Sequence, residues 1–248
     1  MFDNFMLVFY RMKSFAKYLL LLLIFFFYSS CSNNHGSYIA SIIPLAEQSP
    51  DSALFLLSKI DQKSLSKKDF ALYSLVYTIA QDKSGLEVNN DSLIRHAYNW
   101  YEDNPTDTLY AKCEYYMGLY YVLNDSIEKA ADCLQKSIKA SEMRGQDKKY
   151  LCLALTQYSR ILEYTEPQKA ITFAKKAVDL YRGLPNASIS NLVYYKLNLC
   201  VSLLLEDSLE QATKVCREAI YLCHSSDSTL LSDAYQDMAS IQSKQKKI

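Results

Sequence analysis

The chain has 248 residues, half of them hydrophobic, and its 27 Lys and Arg balance its 27 Asp and Glu to a formal net charge of zero. That balance argues against nucleic-acid binding, which needs an excess of cations to displace counterions. Five Gly and five Pro are too few for a hairpin-rich β architecture. The long stretches rich in Ala, Leu, Lys, Glu, Gln and Tyr point instead to an all-α protein.

The N-terminus reads as a targeting segment, not as fold. Lys13 and Lys17 form a short basic region, Tyr18 to Phe27 is an unbroken apolar run, and Tyr28, Ser29 and Ser30 precede Cys31. Basic, apolar, small, Cys is the order of a bacterial lipoprotein signal peptide, which this segment resembles. The position three before the Cys, usually aliphatic in that family, is Tyr28. The resemblance implies removal of residues 1–30, lipidation of Cys31, attachment to a membrane through that lipid, and a place in the bacterial cell envelope facing the periplasm. Met12-Lys13 is the more typical start of such a signal, so residues 1–11 read as an upstream start-site error. The other reading, an uncleaved membrane anchor, meets a run shorter than the roughly 20 residues that span a bilayer. Residues 31–36 follow as a polar tether.

Helices are then expected in pairs across residues 37–244. Tyr38 to Glu47 and Ser52 to Ile60 flank the Ser49-Pro50-Asp51 turn. Lys67 to Ala80 and Ser92 to Glu102 are separated by a polar stretch and stopped by Asn104-Pro105, since the residue before Pro resists the helical region. Ala111 to Tyr121 and Ile127 to Ala140 enclose the turn at Asn124-Asp125-Ser126. Lys148 to Tyr164 pairs with Gln168 to Arg182, and Gly183 to Asn186 stops the second. Ser190 to Leu205 pairs with Leu209 to Cys223. Thr229 to Lys244 stands alone, with Tyr235, Met238 and Ala239 as its inward positions, and residues 245–248 form a tail.

The hairpin from Ala111 to Ala140 resembles a tetratricopeptide repeat. Gly118, Ala130, Leu134 and Ser137 occupy that repeat's small position 8, Ala position 20, apolar position 24 and small position 27. Ala130, Ala170 and Ala212 mark position 20 in three hairpins at spacings above the family's ~34-residue period, so helices or turns are longer than the minimal repeat. The resemblance implies a right-handed superhelix of antiparallel hairpins, a TPR-like α-solenoid, with a groove that holds a protein partner. The seam residues are then Gly118, Tyr158 and Cys200, and the large Tyr158 predicts a fourth hairpin that opens widely. The opposite side presents Tyr115, Leu119, Val122, Leu155, Tyr194, Leu197 and Val201 as the groove. Lys112 and Asn198 are isolated matches to the positions with which some repeats grip a carboxylate, so an apolar, Tyr-rich groove fits better.

Little else carries chemistry. There is no His-x-x-x-His or Cys-x-x-Cys pair, no phosphate-cradling Gly loop and no recognisable triad, so no catalysis, metal or cofactor is expected. Cys216, Cys223 and His224 are the one grouping that resembles metal ligands, but the two Cys read better as small apolar core residues. Register places Cys200 against Ala212 rather than Cys216, and leaves Cys113 and Cys133 as the one pair open to a disulfide. Asp followed by Ser or Thr recurs before Ala53, Leu93, Leu109, Ile127, Leu209 and Thr229 at expected helix starts, where Asp and Ser cap free amides. The triplet also resembles an O-glycosylation signal of exported proteins in gut-dwelling Gram-negative bacteria, with Ser52, Ser92, Thr108, Ser126, Ser208 and Ser228 as acceptors. The main expectation is a lipid-anchored scaffold that binds another protein. Three others are the sensor part of a membrane regulator cut before its transmembrane segment, an outer-membrane protein assembly component, and a glycan-binding lipoprotein, for which Trp100 alone is a thin stacking platform.

Overall fold

Local signals start or stop several of the helices near where the paired pattern requires. Residues 35–86, 91–145, 147–223 and 228–247 are described by the computed structural model. Among them are eleven α-helices: α1 His35–Gln48, α2 Pro50–Leu57, α3 Lys67–Lys83, α4 Asp91–Glu102, α5 Tyr110–Leu123, α6 Ile127–Arg144, α7 Lys148–Leu162, α8 Pro167–Arg182, α9 Ile189–Leu205, α10 Leu209–Leu222 and α11 Ser228–Gln245. Pro50 and Pro167 open α2 and α8, where a missing N–H costs nothing. Ser66 caps α3 by accepting from the Asp69 amide at 3.1 Å, and Ser188 caps α9 through the Asn191 amide at 3.2 Å. Gly145, at φ 61°, closes α6 in the left-handed conformation that side chains resist.

Several boundaries differ from the sequence reading. His35 and Gly36, expected in the tether, belong to α1. Pro44 lies inside α1 with its ring exposed, and its missing N–H deprives the Ala40 carbonyl of its usual helical donor. Pro50 pulls the start of α2 forward, and the helix ends at Leu57 rather than Ile60. The signal segment, Cys31 and the tether up to Asn34 lie outside the described residues. No helix among the described residues is long and apolar enough to cross a membrane.

Consecutive helices pack as antiparallel neighbours, and the first helix of each pair also packs on the first helix of the next: α1 on α3, α3 on α5, α5 on α7, α7 on α9, α9 on α11. This is the stacked-hairpin arrangement of an α-solenoid. One apolar core runs through it from Ile39 to Ile241, and a small second cluster of Val193, Leu197, Ala219, Cys223 and Ala234 lies under α11. Of the positions expected to face inward on α11, Met238 packs half-buried against the core while Tyr235 and Ala239 are exposed, and the fully buried residues are Ala234 and Ile241.

The seam inside each hairpin is made of small residues. A side-chain carbon on Gly118 would lie 2.9 Å from Leu134 Cγ and 3.5 Å from the Ala130 carbonyl oxygen. Ser159 donates to the Ala170 carbonyl at 2.9 Å, and the Cys200 thiol to that of Ala212 at 3.6 Å. Tyr158 is therefore not the seam residue of the fourth hairpin; Ser159 is. The Tyr158 ring packs edge-on against Phe173 at 5.0 Å and its hydroxyl accepts from Gln135. The hairpin is as tightly closed as its neighbours.

Candidate functional site: a cleft on the first-helix side

The stacked first helices leave between them a cleft of about 670 Å³. Tyr115, Leu119, Val122 and Leu123 of α5, Leu153 of α7, and Tyr194 and Tyr195 of α9 give it apolar and aromatic walls. Glu47, Asp82, Lys83, Lys149, Gln157, Arg160 and Asn191 supply the polar groups. Lys149 and Arg160 sit in the first and last turns of α7, about 16 Å apart along its axis. Arg160 has no ion pair among the described residues.

Four of the seven expected groove residues meet here: Tyr115, Leu119, Val122 and Tyr194. Leu119, Val122 and Tyr194 are half-buried, whereas Tyr115 is only 3 % exposed, with its ring edge-on to Tyr116 at 5.1 Å and Tyr150 at 5.7 Å. Leu155 is fully buried, because the one-residue shift from Tyr158 to Ser159 turns it into the core and brings Leu153, Gln157 and Arg160 to the cleft instead. Leu197 is buried in the second cluster, covered from α11 by Ala234. Val201 is half-buried and does not line the cleft.

A chain of polar contacts borders the cleft, and it draws together residues far apart in sequence. The Glu47 carboxylate accepts from Lys112 Nζ at 3.1 Å and the Tyr150 hydroxyl at 3.1 Å on one oxygen, and from Lys149 Nζ at 3.0 Å on the other. Lys112 Nζ also pairs with Asp147 at 3.0 Å and lies 4.4 Å from the centre of the Tyr150 ring. The Tyr150 and Tyr116 hydroxyls are 3.3 Å apart, and Tyr116 donates to Asp82 at 3.4 Å. Burial pushes the Glu47 carboxyl up, but Lys112 and Lys149 together hold it below the usual carboxylate range. Burial raises the Tyr115, Tyr116 and Tyr150 phenols well above theirs, so all three stay neutral donors. The walls therefore offer apolar contact, aromatic stacking and charge pairing.

Other expected sites are scattered. Ser52, Ser92, Thr108 and Ser228 are exposed, and Ser126 and Ser208 half-buried. Side-chain capping explains these triplets less well than expected. Asp107 accepts from the Leu109 amide at 2.9 Å, but Ser126 and Ser208 begin α6 and α10 without a side-chain cap bond. At those two turns Asp125 and Asp207 instead adopt φ 51° and 53°, a left-handed turn that Asp tolerates better than most residues. Cys113, Cys133, Cys152, Cys200, Cys216 and Cys223 are all buried and unbonded. Cys200 and Cys216 prove to be neighbours: the Cys216 thiol, with burial, pushes the Cys200 thiol up, and Cys216 donates its own proton to the Ala234 carbonyl at 3.1 Å. His224 lies outside the described residues. Trp100 packs edge-on to Tyr101 at 4.9 Å, away from the cleft.

Sequence reasoning missed the Glu47 network. Its signal was faint: a Glu at the end of the first helix and two Lys in the first turns of the third and fourth hairpins, each of which reads alone as a solvated charge. No protein-family model matches this chain, and no curated protein proved similar to it.

Proposed function

We propose that this protein is a lipid-anchored tetratricopeptide-type scaffold of the bacterial cell envelope, facing the periplasm, that holds a segment of another protein in the cleft and performs no catalysis. The cleft itself carries this reading. Aromatic and aliphatic side chains from α5, α7 and α9 converge on one opening of about 670 Å³, room for several side chains of a bound segment. A surface of this kind gains free energy when a partner covers it, and half-exposed tyrosines are strong anchors because they bury much apolar area with few torsions to freeze. The repeat identity is supported by the small-residue contacts Gly118 to Ala130, Ser159 to Ala170 and Cys200 to Ala212 in three successive hairpins. In a right-handed superhelix of such hairpins the first helices face inward, which is the side on which the cleft lies.

Tyr115 is too buried to test the surface without disturbing the core. Leu119 and Tyr194 are half-exposed and suit the purpose. The full chain and a Leu119→Ala, Tyr194→Ala double variant are compared in pull-downs from detergent-solubilised membranes. The variant is expected to keep its helical circular dichroism and lose the partner that the wild type retains. Each anchor should account for about 2 kcal/mol when fully covered. A folded variant that retains every wild-type partner would show that the cleft is not the binding surface.

A further inference from the structure

In a stack of hairpins each unit touches its neighbours only, yet Glu47 of the first hairpin reaches two hairpins beyond the next one. Its carboxylate meets Lys112 of α5 and Lys149 and Tyr150 of α7, with all three contacts at 3.0–3.1 Å. Two of the donors are not free surface groups that happened to find an acid. Tyr150 is fully buried and Lys112 only 9 % exposed. Lys112 is steadied by Asp147 and by the face of Tyr150, and Tyr150 by Tyr116. Lys112 and Tyr150 are thus held in place on two helices to receive one carboxylate, with the half-exposed Lys149 joining them at the edge, and the group that fills the position comes from the end of another element.

Both Glu47 and Lys149 line the cleft. The last turn of α1 therefore closes the side of the cleft at the first turns of α5 and α7. We propose that Glu47 is a latch: it occupies in cis an acid-binding position formed by Lys112, Lys149 and Tyr150, and an acidic side chain of a bound segment takes that position by displacing it, opening this side of the cleft. The consequence for partner binding rests on the cleft being the binding surface; the latch itself does not.

Breaking the latch should free the end of α1 and vacate the acid position together. Hydrogen exchange of the full chain is compared in wild type, Glu47→Ala and Lys149→Met, with circular dichroism as the check on folding. Exchange over residues 45–48 is expected to speed at least tenfold in Glu47→Ala and by a smaller factor in Lys149→Met, which loses one of the three contacts and alters only a half-exposed side chain. Tetraglutamate is the binding probe, read by calorimetry. Glu47→Ala should bind it at least tenfold more tightly than wild type, and adding Lys112→Met should abolish the gain. Unchanged exchange in both variants, no gain for tetraglutamate, or a gain that survives Lys112→Met would each overturn the proposal. Neither readout uses a protein partner, so failure of the pull-down and failure of the latch are separate results.

Discussion

Glu114 is the residue least at ease in this protein. It sits on α5 at 1 % exposure, and neither carboxylate oxygen makes a well-formed hydrogen bond. Burial raises its pKa; the neighbouring Tyr110 hydroxyl, Lys136 charge and Cys133 thiol offset this only in part. The sign of the linkage follows. A carboxyl whose folded pKa lies above its unfolded value contributes stability that is complete below the unfolded pKa, about 4.3, and is lost as pH rises through the folded one. Glu114→Gln removes the ionisation and should stabilise the protein by about 1 kcal/mol at pH 8, where a buried, poorly bonded charge costs most. The gain should shrink toward pH 4. Melting curves of the two proteins across that range check it, and a gain that grows on acidification would mean that the carboxylate is well satisfied. Nothing in the sequence singled out this residue. Glu114 lies between Cys113 and Tyr115 on a helix buried at eight consecutive positions from Ala111 to Gly118, and burial on that scale comes from helices packed around all sides of α5.

At the scale of the element, helices and their pairing were readable because their causes are local: apolar residues at helical spacing, Pro at helix starts, Gly at ends. Register between helices was readable only where the turn had standard length. Cys200 lies 12 residues before Ala212, as Gly118 does before Ala130, but Ser159 is 11 before Ala170. That one missing residue in the turn before Pro167 rotates the assignment of α7 by a full position. It moves Leu155 into the core and hides Gln157 and Arg160 from a reading based on constant spacing. The seam gives a direct test. Ala130 is fully buried, and its carbonyl stands at contact distance from the bare Gly118 position. Ala130→Leu should overpack that contact at about 1–3 kcal/mol. For a chain of this size each kcal/mol lowers the melting temperature by about 2–4 °C. An unchanged melting temperature would show that α5 and α6 meet in some other register.

The whole molecule is a stack whose two ends are held differently. At the far end, α11 contributes only Ala234 and Ile241 as buried residues. At the near end, α1 is tied to α5 and α7 through Glu47 and forms part of the continuous core through Ile39, Ile42 and Ala46. The proposed lipid on Cys31 would act on this near end. Three residues separate Cys31 from His35, where α1 begins, and the four steps between them can span at most about 14 Å. The 12 steps along α1 from His35 to Glu47 add about 18 Å before Glu47 and the cleft are reached. A lipid at Cys31 would therefore hold the first turn of α1 close to the bilayer and the cleft within a few tens of ångströms of it, suiting a partner that is itself at the membrane surface. Cys31→Ser removes the thiol that accepts the lipid. The variant should either leave the membrane fraction or accumulate as the longer, uncleaved precursor, while its helical content stays that of the wild type. Fractionation with intact-mass measurement separates these outcomes. A variant that keeps both the mature mass and the membrane retention of the wild type would refute the anchor, and the position of the cleft relative to the bilayer would then have to be set by the partner alone.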